Sequence, residues 1–463
     1  MPNARPSRRK HASEFGRVTA GHSQALRITI PSVTPTLLNT AGEPERDARS
    51  RHWNAIEAMT FCCVILIALW PIAYGAGVLG NVPFAREFAH ALLGAGFVWA
   101  FIISPRLHRD TTESWGCGNP RQLWRRWRSG TPKKRWRLLF IVSAVTAVIT
   151  LLIIRRWWEF SRFLKFPMAA RMWMESPDGS AAAVLCAVIF AFAFTVSAIR
   201  YDNFGPAFRT ALKISTALIA PALIGAYLHR GPEVFATFNL ESWIWNVLGY
   251  VFWGFLQQLF FTAWLGQRLR KAFAPGMVET LSPAKKRRVV LVAGGLFALT
   301  AAPAFWIALR LIRGSEAIPI TLLGWFAVFA FPTGAVWGWF YCKDSRRMLV
   351  ATLAGAFFGL IHMDSYGLVL VCAALGITLT WITMEDRLRN LVALGFIHGF
   401  LGTTFSWLFR SDGAGALRVS YHVGPWNVKP PESHVLLIPL LVCIGFLLLL
   451  RWTALRSRTA VMN

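Results

Sequence analysis

The stretch Trp243–Leu265 reads WIWNVLGYVFWGFLQQLFFTAWL and is followed directly by the basic run GQRLRK. It contains no charged residue, and its 23 residues exceed the roughly 20 that a helix needs to cross a membrane. A bilayer offers no partner for backbone N–H and C=O groups, so a segment of this kind crosses it as an α-helix. The basic residues beyond its end favour the cytoplasmic side, so the stretch predicts an oriented transmembrane helix.

The whole chain has the composition of a membrane protein. Of its 463 residues, 55% are hydrophobic and 15% are charged, whereas soluble domains carry about 25% charged residues. This balance argues against a soluble globular enzyme. The formal net charge of +27 would suggest nucleic acid in a soluble protein, but here the basic residues lie between apolar runs, where they orient helices and contact lipid. We therefore expect a bilayer with anionic headgroups, and no nucleic acid, as the partner.

Apolar segments recur along the chain, close to residues 58–79, 84–103, 138–154, 180–199, 211–228, 243–265, 289–312, 318–342, 349–365, 366–384, 390–409 and 435–452. The ninth and tenth are short and nearly continuous, so one of them is a candidate re-entrant segment. Basic loops, among them 106–137 and 267–288, place both termini in the cytoplasm. The sequence thus predicts an all-α, polytopic transmembrane helix bundle of about 12 spans in the cell (inner) membrane.

The composition changes along the chain and divides it into four predicted regions. Residues 1–55 are polar and rich in Arg, Ser and Pro, which predicts a disordered basic cytoplasmic tail, with an organellar transit peptide as the alternative. Residues 56–239 form an N-terminal transmembrane anchor region. Residues 240–410 form a bundle with polar groups inside its helices, and residues 411–463 form an outer loop and the last transmembrane helix.

One basic loop conflicts with this order of spans. Residues 155–171 would lie outside, although they contain five basic residues and one acidic residue. Their mixture of Arg and Lys with Trp and Phe predicts an amphipathic helix in the membrane interface.

Four polar side chains at bilayer depth are the candidate site residues: Gln257, Gln258, His362 and His398. A polar or ionisable group at that depth is costly and often functional. Each of them alone is also explained by a hydrogen bond between helices, worth about 0.6–2 kcal/mol. The seven cysteines show no CxxC or Cys/His spacing, so neither a disulfide framework nor a structural zinc site is predicted.

Together these residues resemble the motifs of the CAAX-processing and bacteriocin-processing intramembrane proteases, the CPBP or Abi family. Phe358-Gly-Leu-Ile-His362 matches the first histidine motif, and His398-Gly-Phe-Leu-Gly402 matches the second. Leu256–Lys271 resembles the leading motif, Glu-Glu-x-x-x-Arg followed by a helix with a basic end. The resemblance covers about residues 240–410.

The resemblance implies hydrolysis of a peptide bond within the membrane. In the family, a buried Glu helped by a His activates water, and a second His with an Asn stabilises the oxyanion. Here His362 would activate water or bind a metal, and His398 would stabilise the oxyanion. Gln257 or Gln258 would orient water or substrate. The substrate implied is a membrane peptide or a lipidated protein; no cofactor is required, and metal binding at His362 is left open.

The sequence departs from the family at several positions. The Glu pair is replaced by Gln257 and Gln258, and an amide cannot take a proton from water. The motif's Arg is Thr262 and its Asn is Gly402, and the first two motifs are unusually far apart. A second alignment shortens that gap but replaces both histidines, by Ala301 and Gly355.

We therefore expect either a CPBP-type intramembrane endopeptidase or an inactive relative that binds the peptide without cutting it. A membrane transporter or lipid-handling protein is the alternative, since about twelve spans and Pro/Gly-interrupted helices suit a carrier. A non-enzymatic membrane scaffold is a third class, for which the four polar residues would lie far apart.

Overall fold

The structure is a computed structural model, which describes residues 44–163, 166–273, 281–313, 320–410, 414–418, 424 and 433–462. Over these ranges the regular structure is entirely helical. The α-helices are α1 (Pro44–Ile67), α2 (Ala85–Val98), α3 (Ser104–His108), α4 (Pro120–Ser129), α5 (Pro132–Arg155), α6 (Trp157–Phe163), α7 (Met168–Glu175), α8 (Ser180–Ala198), α9 (Phe204–Arg230), α10 (Leu240–Gln258), α11 (Gly266–Phe273), α12 (Pro283–Arg313), α13 (Thr321–Lys343), α14 (Ser345–Leu360), α15 (Tyr366–Thr383), α16 (Leu391–Phe409) and α17 (Leu437–Met462).

Shorter helical segments of other types connect some of these helices. Wider, π-helical turns cover Ala68–Leu79, Trp99–Ile103 and Leu259–Leu265. Single 3₁₀ turns cover Glu113–Trp115, Gly231–Phe235 and His434–Leu436. The segment Leu259–Leu265 follows α10 and leads into α11 without a break, so the three form one continuous helical rod.

Membrane-spanning helices are present, as the sequence predicts. Among the described residues, six helical segments are long and apolar enough to cross a bilayer: Ser50–Leu79, Ala85–His108, Pro132–Arg155, Ser180–Ala198, Phe204–Phe235 and Leu391–Phe409. Large apolar side chains are exposed on their outer faces, for example Phe140 and Leu228. In a bilayer such faces contact acyl chains, so their exposure needs no other partner. The described part of the chain is therefore all-helical, with six helices suited to a multi-pass membrane protein.

Two of the predicted spans form a short helical hairpin. The helices α14 and α15 have 16 and 18 residues, which is fewer than the roughly 20 of a full span. Side-chain caps start both of them: Asp344 accepts a hydrogen bond from the N–H of Arg347, and Ser365 accepts one from the N–H of Leu368. Such caps satisfy N–H groups that the first turn leaves unpaired.

Glycines bring pairs of helices into backbone contact in the C-terminal bundle. A Cβ atom at Gly395 or at Gly399 would lie 2.6 Å from backbone atoms of Val251 on α10. A Cβ atom at Gly355 would lie 2.4 Å from Ile377 on α15. Small residues allow this close approach between membrane helices. The α10–α16 and α14–α15 pairs are therefore packed more tightly than larger side chains would permit.

The main apolar core contains residues from both sides of the predicted boundary at residue 240. Met59 and Trp70 belong to it together with Phe255, Trp264 and Leu394. The indole N–H of Trp70 also donates to the carbonyl of Leu360 at the end of α14, at 3.0 Å. The described helices before residue 240 thus pack directly on those after it.

Two other predicted segments are described only in part. Residues 1–43 of the predicted tail lie outside the described residues, but α1 begins at Pro44, before the expected end of the tail at residue 55. The basic segment 155–171 forms two short helices, α6 and α7, on either side of residues 164–165, which the structure does not describe.

Candidate functional site

Gln258 and His398 meet inside the C-terminal bundle. Gln258 is the last residue of α10 and has no exposed surface, and its Nε2 atom lies 3.3 Å from Nδ1 of His398 on α16. The contact depends on Gly254, one turn earlier, where a Cβ atom would lie 2.7 Å from the Cβ of His398. An amide nitrogen only donates, so Nδ1 accepts and the proton of the neutral imidazole stays on Nε2.

The side-chain oxygens of both glutamines are unsatisfied. Oε1 of Gln257 and Oε1 of Gln258 are buried and have no hydrogen-bond partner among the described residues. A buried acceptor without a donor costs about 1–3 kcal/mol. Such atoms are places where a water molecule or a ligand N–H group would be stabilised.

His362 lies in the turn after α14, close to a phenyl ring that His398 also contacts. Its imidazole is 4.9 Å from the ring of Phe358, and the imidazole of His398 is 6.1 Å from the same ring, centroid to centroid. Nδ1 of His362 is 2.7 Å from the carbonyl oxygen of Phe358. A carbonyl only accepts, so His362 carries its proton on Nδ1 and keeps Nε2 as an acceptor.

The two histidines thus have opposite tautomers. His398 has Nε2–H as a donor, and His362 has Nε2 as an acceptor. A donor and an acceptor of this kind can each form one hydrogen bond with a peptide group or a water molecule. The structure therefore brings Gln258, His398 and His362 into one region, with Gln257 next to it on α10.

A carboxylate base has no evident place in this region. Asp364, two residues after His362, acts electrostatically on that imidazole, but no hydrogen bond joins a carboxylate to Gln258, His362 or His398 in the described part of the chain. Among all the residues that the structure describes, no group of three or more His, Cys, Asp or Glu side chains could hold a metal ion. The arrangement offers hydrogen bonds but neither of the usual means of activating water.

The other positions of the motifs have structural contacts. Thr262, at the Arg position, donates to the backbone carbonyl of Gln258 at 2.6 Å. In the second alignment, Gly355 lies in the α14–α15 contact and Ala301 is exposed on α12. The loop 411–434 is described only in part, but a Cβ atom at Gly424 would lie 2.1 Å from the carbonyl oxygen of Asp364. That residue of the loop thus packs on the turn that contains His362.

Sequence reasoning missed a second buried polar region, which we name the Arg268 cluster. It consists of Arg268 with Glu57, His108, Asp110 and Lys271, and with the polar side chains of Asn54 and Ser104. Arg268 has no exposed surface, and Asp110 is 2% exposed at its side chain. The cluster joins α1, the end of α3 and α11.

Each charge of the Arg268 cluster has an opposite charge beside it. Nε of Arg268 lies 3.2 Å from Glu57, its Nη2 atom contacts Asp110, and Nζ of Lys271 lies 2.6 Å from Asp110. Nε2 of His108 lies 2.7 Å from the carboxylate of Glu57, which also pairs with Arg268. The same carboxylate accepts a hydrogen bond from the indole of Trp99 at 2.9 Å. Buried charges are tolerated only in such paired arrangements.

The signal for this cluster is present in the sequence but weak. Arg268 and Lys271 belong to a run of basic residues that marks membrane topology equally well. Glu57 is the informative residue, because an acidic side chain next to the first apolar span needs a buried partner.

A third polar region ties the loop before α9 to the loop before α16, outside the membrane-spanning segments. Arg200 lies 3.3 Å from Asp386, and this hydrogen bond lowers the pKa of the Asp386 carboxyl below its usual 3.8. Burial and the nearby Arg270 lower the pKa of Arg389 to about 10. Asn390, the N-cap of α16, donates to the carbonyl of Arg200 at 2.8 Å. These contacts hold the start of α16, the helix of His398.

Comparison of the chain with known protein families, with curated proteins and with solved structures finds no match. The resemblance to the CPBP family rests on the motifs themselves.

Proposed function

We propose that this chain binds a peptide segment of a membrane-associated or lipidated protein without hydrolysing it. In this proposal, residues 240–410 are a CPBP-like bundle that has kept the two histidines of the family and lost its base. The protein would lie in the cell (inner) membrane with about twelve spans and both termini in the cytoplasm. The observation that supports this most directly is the buried Gln258, which contacts His398 and retains an unsatisfied oxygen.

The hydrogen-bonding groups match those of an extended peptide. Oε1 of Gln258 would accept from a peptide N–H, and Nε2–H of His398 would donate to a peptide C=O. A peptide in the bilayer must satisfy its own backbone groups or find partners in the protein. Both partners would come from the tightly packed α10–α16 pair, so their spacing is fixed before the peptide binds.

Hydrolysis would need groups that these residues do not supply. Attack on a peptide carbonyl requires a base that takes a proton from water and an acid that returns it to the leaving amine. The amides of Gln257 and Gln258 can do neither. His362 has Nε2 as an acceptor, but no carboxylate among the described residues is hydrogen-bonded to it to fix its orientation.

Photo-crosslinking in reconstituted vesicles tests the proposal. The full chain is mixed with a prenylated peptide and with an unmodified apolar peptide, each carrying a photoreactive group. Crosslinked sites and cleavage products are then identified by mass spectrometry. We expect crosslinks to α10, α14 or α16 and no cleavage, and we expect Gln258→Ala and His398→Ala to lose most of the crosslinked product.

Matched variants separate binding from nonspecific capture and from catalysis. His90→Ala, which changes an exposed histidine on α2, should crosslink like the wild type. Gln257→Glu and Gln258→Glu restore the family's carboxylates, so cleavage by this double variant would support an ancestral protease site. Cleavage by the wild type would instead show an active enzyme, and absence of specific crosslinks would rule out peptide binding.

A further inference from the structure

An elongated apolar cavity lies between α5, α8 and α10, apart from the Gln258–His398 pair. Its volume is about 340 Å³, within the range of small-molecule sites. Most of its wall is apolar and includes Val148, Leu152, Phe190, Phe194, Leu248 and Trp253. The charged side chains in the wall are Arg156 and Glu159, which adjoin the C-terminal end of α5.

The cavity runs along the membrane-spanning helices and has its charged residues at one end. Along α5 its wall extends from Val145 to Ile153, which is about 12 Å at 1.5 Å per residue. Both α5 and α8 are among the helices long and apolar enough to cross a bilayer. An apolar body at bilayer depth with a polar mouth matches the division of a phospholipid into acyl chain and headgroup.

The mouth of the cavity contains two arginines, each paired with one carboxylate. Arg156 lies 3.2 Å from Glu159 and also contacts Asn246, and Arg155 lies 3.3 Å from Glu241. The two carboxylates are 69% and 74% exposed, so these ion pairs are weak and solvent-screened. A phosphate can replace such carboxylates, and guanidinium groups bind phosphate with two parallel hydrogen bonds.

We propose that this cavity binds one acyl chain of an anionic phospholipid, with the phosphate at Arg156 and Arg155. An acyl chain brings no polar group into the apolar part of the cavity. A peptide would bring backbone N–H and C=O groups, for which this wall has few partners. The inference is independent of the proposed peptide binding, because the cavity does not include Gln258 or His398 and takes another ligand.

Native mass spectrometry of the full chain in mild detergent tests the lipid class. Phosphatidylglycerol and phosphatidylcholine with identical acyl chains are offered at equal concentration, and the retained lipid is counted. Two arginines near the headgroup should favour the anionic lipid by about fivefold or more. This wild-type measurement needs no variant, and equal retention of the two lipids would overturn the anionic assignment.

Two pairs of variants then locate the site. Val148→Trp fills the cavity from α5 and should lose most of the retained lipid, whereas Val184→Trp, equally exposed on α8 but outside the cavity wall, should not. Arg156→Gln should keep lipid but lose the preference for phosphatidylglycerol, and Arg209→Gln on α9 should keep it. Thermal unfolding of each variant checks that it is folded. Equal losses from Val148→Trp and Val184→Trp would overturn the assignment to this cavity.

Discussion

The Gln258–His398 pair and the Arg268 cluster lie along the same continuous helical rod, yet their buried polar groups differ. The pair is uncharged, and Oε1 of Gln258 has no partner in the described structure. The Arg268 cluster is charged, and each of its charges has an opposite charge within about 3 Å. Buried charges that are paired in this way hold helices together. A buried acceptor without a donor lowers the stability of the protein, and a ligand that supplies the donor restores it. The difference therefore separates a structural site from a binding site.

The largest effect is expected for Arg268→Met. This change leaves Glu57 and Asp110 buried without their main counter-charge, and breaking a buried ion pair costs about 3–5 kcal/mol. We expect a correspondingly lower unfolding temperature in detergent, measured by differential scanning fluorimetry. Arg287→Met, an exposed arginine at the start of α12, should change it little. Equal stability of the two variants would mean that the cluster does not hold α1 to α11.

A smaller effect is expected at the uncharged pair. The coupling between Gln258→Met and His398→Phe in a double-mutant cycle should be about 0.6–2 kcal/mol, the usual range for hydrogen bonds between membrane helices. Unfolding in a denaturing detergent, measured for both single variants and the double variant, gives this value. The exposed Gln122→Met paired with His398→Phe should give a coupling near zero. A coupling as large as the effect of Arg268→Met would remove the distinction between the two regions.

The smallest effect concerns acid, at the loop network of Arg200 and Asp386. Because the pKa of Asp386 is lowered in the folded protein, its pairing stabilises the fold above its usual pKa of 3.8 and is lost as the pH falls through the lowered value. Asp386 is 73% exposed, so screening limits the contribution to about 1 kcal/mol or less. In Asp386→Asn, the free energy of unfolding measured between pH 6 and pH 3 should lack this pH-dependent contribution. The exposed Asp178→Asn should behave like the wild type.

The helical class and part of the candidate site could be predicted from the sequence. Long apolar segments leave the backbone no alternative to helix in a bilayer, which is why the multi-pass architecture is confirmed for spans such as Pro132–Arg155 and Leu391–Phe409. Gln258 and His398 could be identified because polar residues are conspicuous inside apolar runs. Their contact needs the glycines at 254 and 395, whose role appears only when α10 and α16 are seen together.

The Arg268 cluster could not be predicted in the same way. Asn54 and Arg268 are 214 positions apart, and no local pattern indicates that α1 packs against α11. Basic residues at helix ends are also expected from membrane topology. The sequence alone therefore does not distinguish them from basic residues that form ion pairs inside the protein. The predicted count of about twelve spans stays a prediction. Helices such as α14 and α15 have the apolar composition of a membrane span but are shorter than a full one.

The uninterrupted passage from α10 through Leu259–Leu265 into α11 has a mechanical consequence. No loop decouples the two ends, so a rotation of α10 about its axis is transmitted as a torque to α11. The backbone contacts of Gly395 and Gly399 with α10 resist that rotation at one end, and the ion pairs of Arg268 resist it at the other. The rod is clamped at both ends, and the direction in which Gln258 points is set by residues that never touch it.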